Sequence, residues 1–143
     1  LVQLRRYPEL LARRRQLVGL YDQGIKKINE KLKVLECRSL VHYDGEICSS
    51  GHLYLLRILG CTQDERNVLI ERMAEQGVAA NVHYKPLPML TAYKNMGFNV
   101  KDFPCAFHIF QNEISLPLHT LLKDEEVEYV LGVLEQELLS LER

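Results

Sequence analysis

The stretch HLYLLRILGCTQDERNVLIERMAEQG, residues 52–77, holds in its order of residue types the signals for a strand, a turn and a helix. Residues 52–59 are dense in aromatic and branched apolar side chains and follow the turn-forming Ser49-Ser50-Gly51, a pattern that predicts a mostly buried strand. Thr62-Gln63-Asp64-Glu65 then matches a capping box, in which the Thr62 hydroxyl and the Glu65 carboxylate each satisfy a free amide at a helix start. Val68, Leu69, Arg72 and Met73 continue that helix, and Gly77 is placed to close it in a left-handed conformation. A second strand is expected over residues 78–82. Pro86 and Pro88 stop it, because neither can donate to a sheet ladder.

Working outward, residues 1–32 repeat Leu10, Leu11, Leu17, Val18, Tyr21, Ile25, Ile28 and Leu32 near the helical period. Pro8 fits the first turn of this helix or a break between two helical pieces. Residues 90–96 predict a short helix ending at Gly97, and Asp102-Phe103-Pro104 starts another. Ile114-Ser115-Leu116 reads as a brief strand stopped by Pro117. In the last helix Val127, Val130, Leu131, Leu134 and Leu138 form one apolar stripe, while Asp124, Glu125 and Glu126 favour its positive end. The order predicts an α+β domain, a small mainly antiparallel sheet of three or four strands covered by helices.

Composition bounds the function. With 143 residues, 47% hydrophobic and 26% charged, the chain is long enough for one core and too apolar to be disordered. A formal net charge of -1 gives no reason to expect nucleic acid as a partner. No apolar run approaches the roughly 20 residues of a membrane span. Cys37, Cys48, Cys61 and Cys105 form no C-x-x-C pair, so they read as reduced thiols packed as small hydrophobes in a cytoplasmic protein. The first helix is rich in Lys and Arg and the last in Asp and Glu, each cluster read as a solvated face or as a contact with another chain or domain. The five histidines show no H-x-x-x-H spacing, so no metal site is signalled, and neither a nucleophile elbow nor a glycine-rich phosphate loop is present.

NVHYKPLPML, residues 81–90, remains as the candidate site. Side chains mounted on a proline-stiffened loop lose little freedom when ligand arrives. If the strand continues, His83 and Tyr84 point to opposite faces. Tyr84 and Lys85 together could hold a phosphate, whereas packing under the sheet is the plainer reading of His83 and Tyr84.

VHYKPLPMLTAYKNMGF, followed by DFPCAFHIFQNEISLPLHTLLKDEEVEYVLGVL, resembles the C-terminal part of the DegT/StrS-type sugar aminotransferases. A V-H-Y-x-P-L block, an F-P-x-A block and an S-L-P-L-H block carry the resemblance. The S-S-x-H-L-Y segment at 49–54 and the Q-L-x-R…A-R-R-R helix at 3–15 fit in the same order. The resemblance implies the small C-terminal domain of aspartate-aminotransferase-fold enzymes. Residues 1–32 would be the helix linking it to an absent large domain, and residues 33–143 the small domain. It implies transfer of an amino group, commonly from glutamate, to a nucleotide-linked keto-deoxysugar for cell-surface polysaccharide or related synthesis. The enzyme would be a pyridoxal-phosphate-dependent cytoplasmic homodimer.

Pyridoxal phosphate needs a linking lysine, an acid partner and a phosphate cup. By the same resemblance those lie in the large domain, so this chain alone is expected to hold no cofactor, to contain no catalytic residue and to be inactive. Carried over by position, His83 and Tyr84 match the pair that reaches toward substrate, and His52 and Tyr54 match positions beside the cleft. Three positions depart from the pattern. Pro88 stands where His is frequent, Gly51 where Trp is common, which implies a looser segment, and Lys123 where a capping Thr is usual. The alternative is a stand-alone, non-catalytic module that binds a partner or a nucleotide sugar.

Overall fold

The computed structural model describes residues 1–142. Its elements are α1 (Val2–Asn29), β1 (Glu36–Ser39), β2 (Tyr43–Asp44), β3 (Ile47–Cys48), β4 (Tyr54–Leu59), α2 (Gln63–Glu75), α3 (Thr91–Asn95), α4 (Pro104–Gln111), β5 (Glu113–Leu116) and α5 (Asp124–Leu141). β1, β4 and β5 form an antiparallel sheet in that order, and β2 pairs with β3 as a separate hairpin. This is the α+β architecture expected.

The alternation of β4 sorts the molecule into two layers. Tyr54, Leu56 and Ile58 are buried on one face, joined in register by Leu116 and Ile114 of β5. Leu17, Val18, Tyr21, Ile25 and Ile28 of α1 belong to the same core as Val127, Val130, Leu134 and Leu138 of α5. The basic and acidic helices meet each other: Arg13 pairs with Asp124 at 2.7 Å and Lys31 with Glu135 at 2.6 Å. Glu142 completes the join by accepting the amides of Lys33, Val34 and Leu35 at 2.7–3.0 Å.

The capping box at Thr62 forms as predicted, with Thr62 N–H donating to Glu65 at 2.8 Å and Glu65 N–H donating to the Thr62 hydroxyl. Gly77 closes the helix with φ of +75°. At α5 the Glu126 carboxylate accepts the Lys123 amide at 2.7 Å, but a lysine side chain has no acceptor to return the bond. Half of that box is therefore made.

Several expectations need correction. α1 runs unbroken through Pro8, because the bond lost there falls on Leu4, whose residue is exposed and whose carbonyl water can reach. Gly51 is buried with φ of +59°, and a Cβ there would lie 3.3 Å from Cβ of Arg14, so a side chain there is strained by the backbone and crowded by the helix. Cys37 and Cys61 are buried thiols as expected, Cys37 being raised to about 12 by burial, but Cys48 and Cys105 are exposed.

The strand expected over 78–82 reduces to one bridge between Asn81 and Ser115. The next ladder bond would join His83 to the Glu113 carbonyl. The Arg66 guanidinium occupies that carbonyl at 3.0 Å, and the His83 amide turns to the Glu113 side chain at 3.1 Å.

Candidate functional site

Opposite the apolar core, β4 and β5 present Leu55, Arg57, Ser115 and Glu113, which are cross-strand neighbours. Glu113 and Ser115 are buried although polar. Arg66 of α2, also buried, reaches the edge of β5 and stacks on Phe110 of α4, with 5.0 Å from guanidinium to ring centre. The segment after Asn81 crosses this face. Asn81 holds it by its backbone bonds to Ser115, and His83 by its amide to Glu113 Oε2 and its Nδ1 at 2.6 Å from Ser115 Oγ.

His83 is half-buried and Tyr84 is 71% exposed. Their peptide bond is cis, and the rings meet edge to face with centroids 4.7 Å apart. They do not point to opposite faces, because the strand on which that expectation rested ends at Asn81. Neither is packed under the sheet as a core residue. Lys85 is exposed beside them. Pro86, Leu87 and Pro88 then line an apolar cavity of about 350 Å³ with Tyr93, Phe98, Phe103 and Ala106. Pro88 thus belongs to an apolar wall.

Glu113 stands out electrostatically. It is 3% exposed, and burial raises its carboxyl to about 7 against the opposing pull of the His83 amide and the Arg66 charge. Its Oε1 has no protein partner among the described residues.

His52 lies exposed just before β4. Tyr54 is 0% exposed on the opposite face of the sheet from Ser115 and His83. It stacks on Tyr21 at 4.7 Å and on His42 at 5.7 Å and donates its hydroxyl to Asp22 at 2.7 Å. Burial pushes the Tyr54 phenol well above its ordinary value, with the Asp22 hydrogen bond adding to the rise. The structure therefore brings His83 and Tyr84 together and leaves Tyr54 as a core side chain that offers no surface to a ligand. Asn81, Glu113 and Ser115, which support the pair, escape sequence reasoning. They sit 30 to 34 residues from their partners, with no local spacing to announce them.

Every lysine is exposed and none lines the apolar cavity, so no lysine is enclosed within this chain in the way a pyridoxal phosphate linkage needs. Among the described residues no cluster of three or more His, Cys, Asp or Glu is arranged for a metal, and no helix is long and apolar enough to cross a membrane.

The profile of the DegT/DnrJ/EryC1/StrS aminotransferase family matches residues 1–135. The structure of Spr1654 from Streptococcus pneumoniae in its PMP form, assigned as a sugar aminotransferase, superposes with a TM-score of 0.89 at 45% identity over 97% of this chain. The UDP-4-amino-4,6-dideoxy-N-acetyl-beta-L-altrosamine transaminase of Helicobacter pylori is 30% identical over 91% of the chain. The spore coat polysaccharide biosynthesis protein SpsC of Bacillus subtilis is 28% identical over 90%. The chain spans about a third of each: 33% of the first, and 32% of the second and third. It belongs to the DegT/DnrJ/EryC1/StrS aminotransferase family.

Proposed function

We propose that the chain is the C-terminal domain of a cytoplasmic pyridoxal-phosphate-dependent aminotransferase that moves an amino group from glutamate to a nucleotide-linked keto-deoxysugar. The observation that carries this reading is the Asn81–Tyr84 segment. Its V-H-Y-x-P-L block resembles the family motif whose His-Tyr pair reaches toward substrate, and it holds a histidine and an exposed tyrosine side by side, the histidine tied to β5. Residues 1–32 link a larger domain to residues 33–143 in this reading. The exposed apolar side chains of Leu1, Val2, Leu4 and Tyr7 fit a helix face that packs on another domain. The active assembly is a homodimer.

The cofactor, held by the larger domain, supplies the electron sink of transamination. The work of this chain is recognition. His83 and Tyr84 form one wall of the sugar-nucleotide site, with His52 toward its rim and Lys85 free to meet a phosphate as a mobile charge. Tyr54 contributes from beneath, by packing. Prolines after the pair restrict the loop before ligand arrives, which lowers the entropy lost on binding.

In the intact enzyme, His83→Ala or Tyr84→Phe is expected to lower kcat/KM for the nucleotide sugar by about tenfold, the scale of one hydrogen bond, with cofactor content unchanged. Unaltered sugar kinetics in both variants would remove the pair from the site. The isolated chain mixed with pyridoxal phosphate is expected to show no stoichiometric, lysine-dependent absorbance band.

A further inference from the structure

Three groups in series fix which nitrogen of His83 carries hydrogen. Ser115 Oγ lies 3.1 Å from the Asn81 carbonyl oxygen and 2.6 Å from His83 Nδ1. The Asn81 carbonyl oxygen, which also accepts the Ser115 amide at 2.7 Å, lies in place to accept the single hydroxyl proton of Ser115. With that proton directed to Asn81, Oγ faces Nδ1 with a lone pair and Nδ1 bears the proton. In the neutral ring this leaves Nε2 as an acceptor. Among the described residues Nε2 of His83 has no protein partner, and unlike Nε2 of His42 it is not sealed from solvent. The His83 amide is anchored separately on Glu113, so ring and backbone are both held by β5.

We propose that Ser115 is a positioning residue that sets His83 as a hydrogen-bond acceptor, so that the open Nε2 takes a hydroxyl or N–H donor of the ligand. The inference rests on the proposed place of His83 in the substrate wall and adds the polarity of that contact. A sugar hydroxyl satisfies it. With the ring neutral, a phosphate or carboxylate oxygen, itself only an acceptor, finds no donor at this point and must be met by other groups.

Long-range proton–nitrogen correlation NMR of the chain, at a pH where the ring is neutral, reads the tautomer directly and needs no ligand. The wild type is expected in the Nδ1–H form. Ser115→Ala removes the acceptor and shifts His83 to the Nε2–H form that free imidazole prefers, while Ser115→Thr, which keeps a hydroxyl, retains Nδ1–H. An Nε2–H ring in the wild type, or Nδ1–H persisting in Ser115→Ala, overturns the inference. In the intact enzyme, Ser115→Ala is expected to raise KM for the nucleotide sugar about five- to tenfold with kcat near the wild-type value. An unchanged KM beside a raised one in His83→Ala overturns the acceptor role and leaves the site standing. An unchanged KM in both variants removes the site, and the acceptor role with it.

Discussion

The two faces of the β4–β5 ladder come from alternate residues of the same short strands, yet they are built on different physics. On the inner face Tyr54, Leu56, Ile58, Ile114 and Leu116 are buried under α1 and α5. Stability there scales with apolar area, and no single contact is indispensable. On the outer face Glu113 and Ser115 meet Arg66, Asn81 and His83, Arg57 donates to Asn112, and these bonds each depend on a particular partner. An unpaired group there costs more than a pair gains. The inner face gives the domain its stability, whereas the outer face gives a loop its shape. Function is proposed on the second because directional bonds can hold one side chain in one orientation, which non-directional burial cannot do.

Four substitutions test that contrast, the first with the largest expected effect. Leu56→Ala on the inner face is expected to cost about 2–5 kcal/mol through lost burial and a cavity, measured as a drop in urea midpoint with little change in the His83 ring signals. A loss below about 1 kcal/mol would show that the inner face is not the main source of stability. Arg66→Met keeps the apolar stem but leaves the Glu113 carbonyl unpaired, for about 1–3 kcal/mol. Its mark is a disturbed His83 environment, which Leu56→Ala should lack.

Glu113→Gln sharpens the comparison through pH. The Glu113 carboxyl is raised to about 7 in the folded chain, so between its unfolded value and about 7 the native state holds more protons than the unfolded one. Stability falls as pH rises through that window and is level above it. The variant, which can still accept the His83 amide, is expected to be more stable than the wild type by on the order of 3 kcal/mol at pH 8, with most of that difference gone at pH 5. A pH-independent difference would remove the buried carboxyl as its cause. Tyr84→Phe is expected to change stability by less than about 0.5 kcal/mol, because the side chain is exposed. Any larger loss would mean that Tyr84 serves the fold.

Signals that lie within a few residues were legible. The capping box spans Thr62 to Glu65, and the α5 stripe follows the helical period. β4 declares itself by composition over six residues. The hairpin of β2 and β3 was missed although Gly45 opens the two-residue turn Gly45-Glu46 between them, and Gly45 does adopt φ of +53°. β1 offered less to read. Of its four residues only Cys37 is buried, and its pairing with β4 is set by the partner strand. The false strand over 78–82 shows the reverse failure, since local propensity was right until a distant arginine and glutamate took its bonds.

By itself the sequence determined an α+β domain, its helix starts and stops and, through the ordered motifs, its family, because each of these is written in neighbouring residues or in their order along the chain. Only the tertiary structure decided that the His83–Tyr84 pair sits over a polar sheet face while Tyr54 turns into the core. It also decided which nitrogen of His83 is tied to Ser115. Those outcomes depend on hydrogen bonds between groups 30 to 34 residues apart, and such bonds exist only after folding has brought the groups together and excluded water from around them.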